Sequence, residues 1–280
     1  MAEMYRMPIG FGPSLGPRQG PGGRRFTGEP IRTNLVTCAY RTDPDALAKV
    51  LPAPFVPAPE PVVTVRVLHN LGFPWLAGRG YNYFEVLFRA VHRGAAGEIE
   101  GEFVAVMWES MADPIIVGRD EAGHPKLFAD VPAPANVDGD LVCTASWEGF
   151  EFGRLVAEGV TLGEWPHERE EATGFADPST GIAVRPRFNY KYFPSTTEVG
   201  KAAVDEVVMT PAGVYQQKIL DRWSGAGRVD WTRARWEDLP TFAQVVNGLA
   251  DLPQVEPLGA TLTRVVKLTN DLRDELRVLY

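Results

Sequence analysis

The amino-acid sequence predicts a mainly β fold of antiparallel strands with a few peripheral helices. Two observations lead there. The chain carries 28 glycines and 24 prolines in 280 residues, more backbone breakers than average usage, and these favour short strands and turns over long helices. Across residues 62–160, runs rich in β-branched and aromatic residues are separated mostly by connections containing glycine, proline or aspartate. That is the pattern of hairpins or a barrel rather than of βαβ units.

In chain order, residues 1–33 read as a flexible or surface-draped Gly/Pro-rich arm, and residues 34–280 as one domain in which ordered structure begins near Asn34. Residues 35–40 form the first β-rich run. A short helix follows: Thr42 or Asp43 can cap it, Pro44 suits its first turn, and Ala46, Leu47, Val50 and Leu51 recur at helical spacing. The prolines from Pro52 to Pro61 end it. Strands are then expected over 62–69, 81–92, 98–108, 126–131, 141–147 and 150–160. Residues 166–180, charged and rich in turn formers, read as a long surface excursion, and 182–193, 204–209 and 213–221 are again extended. Two helical patterns close the chain, 239–249 and 270–279, the second capped by Asn270 or Asp271.

Composition narrows the function. Hydrophobic residues at 45% and charged residues at 23% are ordinary globular usage, which excludes wholesale disorder, coiled coil and collagen. A net charge of −8 with no basic run argues against nucleic acid, whose affinity comes from clustered cations. Residues 1–30 lack the apolar stretch of a signal peptide, and nowhere do 18 apolar residues follow one another as a membrane helix needs. The expectation is a soluble cytoplasmic protein with no nucleic-acid or membrane partner. Cys38 and Cys143 stand apart inside apolar runs and read as buried thiols.

Metal and phosphate signals are weak. His69, His92, His124 and His167 are scattered without ligand spacing, so no metal is expected. Gly78-Arg79-Gly80 and Gly225-Ala226-Gly227 lack a third glycine at fingerprint spacing and a P-loop lysine, and read as turns. No G-x-S-x-G elbow occurs.

Lysine is the informative residue type, because only six of the 28 basic residues are lysines: Lys49, Lys126, Lys191, Lys201, Lys218 and Lys267. Lys49, Lys201 and Lys267 read as solvated charges, and Lys191 and Lys218 sit in strand-like polar alternation. Lys126 differs. It follows Gly123-His124-Pro125 and precedes Leu127-Phe128-Ala129, so a tight turn delivers it to the start of an apolar strand. That position fits a catalytic amine and also a turn lysine at a strand edge.

Here the sequence resembles a family. Gly118-Arg119-Asp120-Glu121-Ala122-Gly123-His124-Pro125-Lys126-Leu127 is similar to the G-R-E-x-x-x-[FY]-P-K-K stretch of acetoacetate decarboxylases, whose first lysine forms the imine with substrate. Tyr40-Arg41-Thr42-Asp43-Pro44-Asp45-Ala46-Leu47 resembles the family's Y-R-T-D-x-D-A-L segment. Tyr83-Phe84-Glu85 matches the strand with an active-site glutamate, and Met107-Trp108 lies in the next strand at the family's distance before the Gly-Arg pair. Asn189-Tyr190-Lys191, Trp223-Ser224-Gly225 and Ala250-Asp251-Leu252-Pro253 resemble later N-Y-x-x-K, W-x-G and N-D-L-P motifs. The matches keep their order from about residue 35 to the C-terminus.

The resemblance implies an antiparallel β-barrel or cone with its pocket at the closed end, and a lyase acting through a lysine Schiff base on a small oxo acid, without cofactor. Lys126 would be the nucleophile and Glu85 the proton-transfer group. Arg66, Arg32, Met107 and Arg119 would contribute to substrate binding or to orienting the lysine loop. Arg32 lies one place out of the family's register. The family also tends to form homo-oligomers. The chemistry needs a perturbed amine: a free lysine of pKa about 10.4 is neutral in only about one molecule in 2,500 at pH 7. Lowering that pKa to about 6 disfavours the charged form by roughly 6 kcal/mol. A neighbouring cation or desolvation supplies this, acetoacetate decarboxylase being the standing example.

Two departures bear on the reaction. Leu127 replaces the family's second lysine, so burial must do most of the perturbing. Arg66 stands where an acidic residue is expected, and alternation places Thr64, Arg66 and Leu68 on one face of their strand. There Arg66 either clamps a substrate carboxylate or faces solvent. A clamped carboxylate is poorly suited to leave as carbon dioxide, which brings aldol condensation with dehydration on pyruvate and an aldehyde beside decarboxylation. By composition alone Glu85 would turn outward to pair with Arg89; the resemblance turns it inward. The rival from another class is a non-catalytic barrel that binds an apolar or acidic ligand.

Overall fold

A computed structural model describes residues 3–26, 29–95, 97–165, 185–214, 216–268 and 273–279. The expected excursion 166–180 therefore lies outside the described residues. Strand β1 (Ile31–Arg41) leads into helix α1 (Pro44–Ala48), where Asp43 Oδ1 accepts from the Ala46 amide at 2.8 Å and Leu47 is fully buried. After the prolines come β2 (Phe55–Pro57), β3 (Val62–Phe73), β4 (Arg79–Gly94) and β5 (Gly97–Glu109). Helix α2 (Ala112–Ala122) then carries the chain to β6 (Lys126–Phe128), and β7 (Ala135–Val137), β8 (Asp140–Trp147) and β9 (Phe150–Ala157) follow. The second half holds β10 (Arg187–Pro194), β11 (Ala202–Thr210), β12 (Gln217–Gly225), β13 (Gly227–Trp231), α3 (Ala243–Ala250), β14 (Glu256–Lys267) and β15 (Arg277–Leu279).

The strands form two sheets. The larger runs β12-β14-β1-β3-β4-β5-β10-β11-β15, with β2 on β4 and β6 on β5, and the smaller runs β13-β9-β8-β7. Neither path closes on itself among the described residues, so the mainly β class holds while the pairing gives open sheets where the resemblance implied a barrel. Five strand steps separate β14 from β6 along the large sheet, about 24 Å if it were flat. Yet residues of both strands line one cavity of about 230 Å³. The large sheet therefore curls strongly, as twisted sheets of this size do.

The two faces of the large sheet have different roles. Val63, Val65 and Val67 of β3, Phe84, Val86 and Phe88 of β4, and Trp108 of β5 belong to the main core together with Cys143, Phe152 and Leu155 of the small sheet. Trp108 anchors the contact, 4.9 Å from the Phe152 ring and 6.2 Å from Trp231. Burying each such aromatic contributes roughly 1.5–3 kcal/mol. The opposite face, inside the curl, carries polar residues. A bulge where β4 and β5 shift register, between Val86 and Leu87, turns both Val104 and Met107 to that inner face, where they pack with Leu87 and Tyr83.

Two sequence expectations change. The helix expected over 270–279 is absent at its described end: residues Arg273–Glu275 form a single 3-10 turn and Arg277–Leu279 pair as β15 with β11. An edge of β11 supplies backbone partners that outweigh local helical spacing; Asn270 and Asp271 lie outside the described residues. The connection from β5 to β6 is a βαβ unit, since these strands pair in parallel and α2 spans between them, as a parallel pair requires. Ahead of β1, the arm lies on the body: Arg6 pairs with Glu121, and Arg18 and Arg25 pair with Asp274 at 2.7 and 2.8 Å.

Candidate active site

Strand register builds the site. Thr37 of β1, Arg66 of β3, Glu85 of β4, Met107 of β5 and Lys126 of β6 are successive cross-strand partners, one row across five strands of the large sheet. Two residues further along β5, Glu109 shares the inner face. The row thus brings Arg66, Glu85, Met107 and Lys126, far apart in sequence, to one side of one sheet.

Lys126 is buried, 7% exposed. Its Nζ donates to the Pro114 carbonyl at 2.9 Å and lies 2.8 Å from Glu109 Oε1. Helix α2 makes room for it: a Cβ at Gly118 would stand 2.5 Å from Lys126 Cε and 2.6 Å from Nζ. The helix ends at Gly123, whose left-handed backbone (φ +69°) suits glycine. Exposed Arg119 donates to the Lys126 backbone carbonyl at 2.7 Å and so ties helix to strand.

Glu109 is fully buried, and neither of its oxygens has a hydrogen-bond partner of good geometry among the described residues. Burial raises its pKa, Lys126 pulls it down less strongly, and Glu85 adds a small upward push. Glu85 is equally buried but differently held. Arg66 Nε donates to its Oε1 at 2.8 Å and Arg187 to its Oε2 at 2.7 Å. Burial pushes its carboxyl up, but the two guanidinium groups outweigh that and bring it down to about 2. The partner for Arg89 is Glu60, at 2.9 Å, so composition alone misdirected Glu85 toward the surface.

The cavity of about 230 Å³ beside Lys126 is lined by Lys126, Glu109, Met107, Gly118, His124 and Arg187. Its remaining walls include Phe73, Trp75, Tyr81 and Tyr83, with Asn70, Gln216, Gln217, Ile31 and Lys267 from the β12–β14–β1–β3 side and Pro17 from the arm. Burial, with help from Lys126 and Arg187, depresses His124 to about 3, so it is a neutral wall residue. Tyr81 and Tyr83 are held well above 10, chiefly by burial.

Of the residues expected from sequence, Lys126 and Met107 line the cavity, while Glu85 and Arg66 lie behind its wall as an ion pair. Arg32 is not at the cavity: alternation along β1 sends its neighbour Ile31 inward and leaves Arg32 exposed, its guanidinium 5.6 Å from the Trp165 ring centre. Glu109, Gly118, Arg187 and Lys267 are site residues that sequence reasoning missed. Lys267 read as a solvated charge, yet it is half-buried at the cavity. Glu109 directly follows the Met107-Trp108 pair, and an acid that ends an apolar strand is the signal for it. For Arg187 the sequence holds no such signal. Among the described residues no group of three or more His, Cys, Asp or Glu is placed to hold a metal ion, and no helix is long and apolar enough to cross a membrane. Cys38 and Cys143 are buried free thiols.

Compared with known proteins, the chain matches the family model described as acetoacetate decarboxylase (ADC) over residues 6–273. It is 28% identical over 227 residues to an acetoacetate decarboxylase of Streptomyces nogalater, covering 79% of this chain and 78% of that one. Among solved structures, acetoacetate decarboxylase from Legionella pneumophila shares its fold with a TM-score of 0.63 at 17% identity, covering 93% and 92% of the two chains. The enduracididine biosynthesis enzyme MppR complexed with pyruvate does so with a TM-score of 0.59 at 15% identity, covering 93% and 95%.

Proposed function

This chain belongs to the acetoacetate decarboxylase family, and from that premise we propose that it is a lyase whose Lys126 forms an imine with a small oxo acid, decarboxylating a β-keto acid such as acetoacetate or a relative. One observation carries the reading: a buried lysine amine at a cavity wall, held between a carbonyl and a carboxylate.

The chemistry follows from that placement. Only a neutral amine attacks a carbonyl, so the ammonium must first pass a proton, and Glu109 at 2.8 Å receives it. Burial favours this by raising the proton affinity of Glu109. The amine adds to the substrate carbonyl; Glu109 returns its proton to the hydroxyl that leaves as water, and a protonated imine remains. As carbon dioxide departs, the electrons of the breaking C–C bond move toward the iminium nitrogen and give an enamine. Protonation at carbon and hydrolysis then release the ketone and restore Lys126. Glu85, ionised and held by two arginines, takes no proton at neutral pH in this scheme. It fixes Arg187 at the cavity wall.

A second reading has two observations in its favour, Leu127 in place of a second lysine and Arg187 facing the cavity as a cation suited to a carboxylate. On this reading the iminium of pyruvate loses a methyl proton instead of carbon dioxide, and the enamine adds to an aldehyde before water is lost. MppR, which shares the fold, has been solved with pyruvate bound.

Borohydride reduction in the presence of acetoacetate or pyruvate tests the shared step. A mass gain on Lys126 that disappears in Lys126→Ala is expected; no adduct with either acid means a binding protein rather than a lyase. Carbon dioxide release from acetoacetate then supports the first reaction, and an absorbing conjugated product from pyruvate plus an aldehyde supports the second.

A further inference from the structure

Lys267 ends β14 and pairs across the sheet with Ile31 of β1 and Gln217 of β12; all three line the cavity. Its Nζ donates to Asn70 Oδ1 at 3.0 Å. That oxygen also accepts from Thr33 Oγ1 at 2.8 Å, and Asn70 Nδ2 donates to the Tyr81 carbonyl at 3.3 Å. The amide is therefore fixed with its oxygen toward the lysine, and the amine is aimed by a neutral acceptor.

What Lys267 lacks is an anion. Lys126 has Glu109, and Arg187 shares Glu85 with Arg66. Among the described cavity residues, Lys267 is the cation with no carboxylate partner. The charges acting on it are Glu85, which favours its protonated form, and Arg66 and Arg187, which oppose it. The other titratable groups of the cavity are Tyr81, Tyr83 and His124, held neutral, and the Lys126–Glu109 pair.

We propose that Lys267, aimed by Asn70, is an anion-binding residue that holds the carboxylate of the oxo acid while Lys126 attacks its carbonyl. The proposal rests on the imine-forming reading and narrows it. A carboxylate paired with a cation inside a cavity is stabilised against leaving as carbon dioxide, so the role of Lys267 belongs with the second, condensation-type reading, in which a 2-oxo acid keeps its carboxylate.

Burial, with the positive charges of Arg66 and Arg187 adding to it, brings Lys267 down to about 7. Only its protonated form pairs with a carboxylate, so anion affinity is level below pH 7 and falls about tenfold per unit above it. Lactate is the probe: it has the carboxylate of a 2-oxo acid but no carbonyl, so it cannot form an imine. Calorimetric titration of the intact protein with lactate from pH 5.5 to 9 is expected to give that profile. Lys267→Gln weakens lactate at least tenfold at pH 6 and removes the pH dependence, whereas Lys267→Arg keeps binding up to pH 9. The proposal is overturned if wild type shows no saturable lactate binding, if Lys267→Gln binds like wild type, or if Lys267→Arg loses binding as Lys267→Gln does. Borohydride trapping of pyruvate in the same preparations separates the two readings. An adduct on Lys126 without lactate binding removes only the role of Lys267; lactate binding without an adduct removes the imine and leaves the anion site.

Discussion

A buried carboxylate serves either as a fixed charge or as a proton acceptor, and its neighbours decide which. Glu85 accepts from two guanidinium groups and stays ionised down to about pH 2, whereas Glu109 has one amine beside it and a raised pKa. Substitution therefore affects them differently. Glu109→Gln is expected to slow borohydride-trapped imine formation by about 10²-fold, the usual share of a general base, with a rate that climbs as pH rises because hydroxide must take the lysine's proton. Glu85→Gln removes the carboxylate that Arg66 and Arg187 share and is expected to cost about 3–5 kcal/mol of stability, read as a lower urea midpoint. Sequence made Lys126 and Glu85 visible through the motifs around them. It did not make Glu109 visible as the lysine's partner, because that contact joins the end of β5 to the start of β6 and exists only once the two strands pair.

Helix α2 shows why an element can escape sequence reading and still position a site. Its buried positions are Pro114, Gly118 and Ala122. They recur every four residues, but none is large and apolar, while Ile116 is half exposed. The helix has no hydrophobic stripe to detect because the lysine stem fills the space that large side chains would take. Gly118→Ala is the matching test. Alanine favours a helix over glycine by up to about 1 kcal/mol, so the thermal midpoint is expected to hold. The added methyl displaces the Lys126 amine, and trapping with pyruvate is expected to fall by about tenfold or more. An unchanged trapping rate would mean that the close approach of α2 is not needed. Strand β14 is likewise not legible in the sequence, although it joins β1 to β12 and carries Lys267 into the cavity. Its glycine and proline and its mixed polar pattern obscured a strand that becomes obvious once both neighbours supply hydrogen bonds.

For the whole molecule, the buried ionisable groups predict how stability depends on pH. His124 has a folded pKa of about 3, below its ordinary 6.5, so its contribution is full above 6.5 and is lost as pH falls toward 3. Glu85 has a folded pKa of about 2 against an ordinary 4.5, so its contribution is full above 4.5 and is lost as pH falls through 2. Both slopes have the same sign, so these two groups lower stability progressively in acid, beginning near pH 6.5. His124→Phe removes the upper part of that decline: thermal midpoints at pH 7.5 and 4.5 should lie closer together than in wild type, and an equal gap would assign the decline elsewhere. By itself the sequence determined the mainly β class, helix α1 with its cap at Thr42 or Asp43, the buried cysteines and the lysine at the start of a strand, since each depends on neighbours within a few residues. Only the tertiary structure decided that Glu109 faces Lys126, that Arg187 and Arg66 share Glu85, and that Lys267 reaches the same cavity. Those contacts cross between strands distant in sequence, and strand register with the curl of the large sheet sets them, whereas no local pattern encodes them.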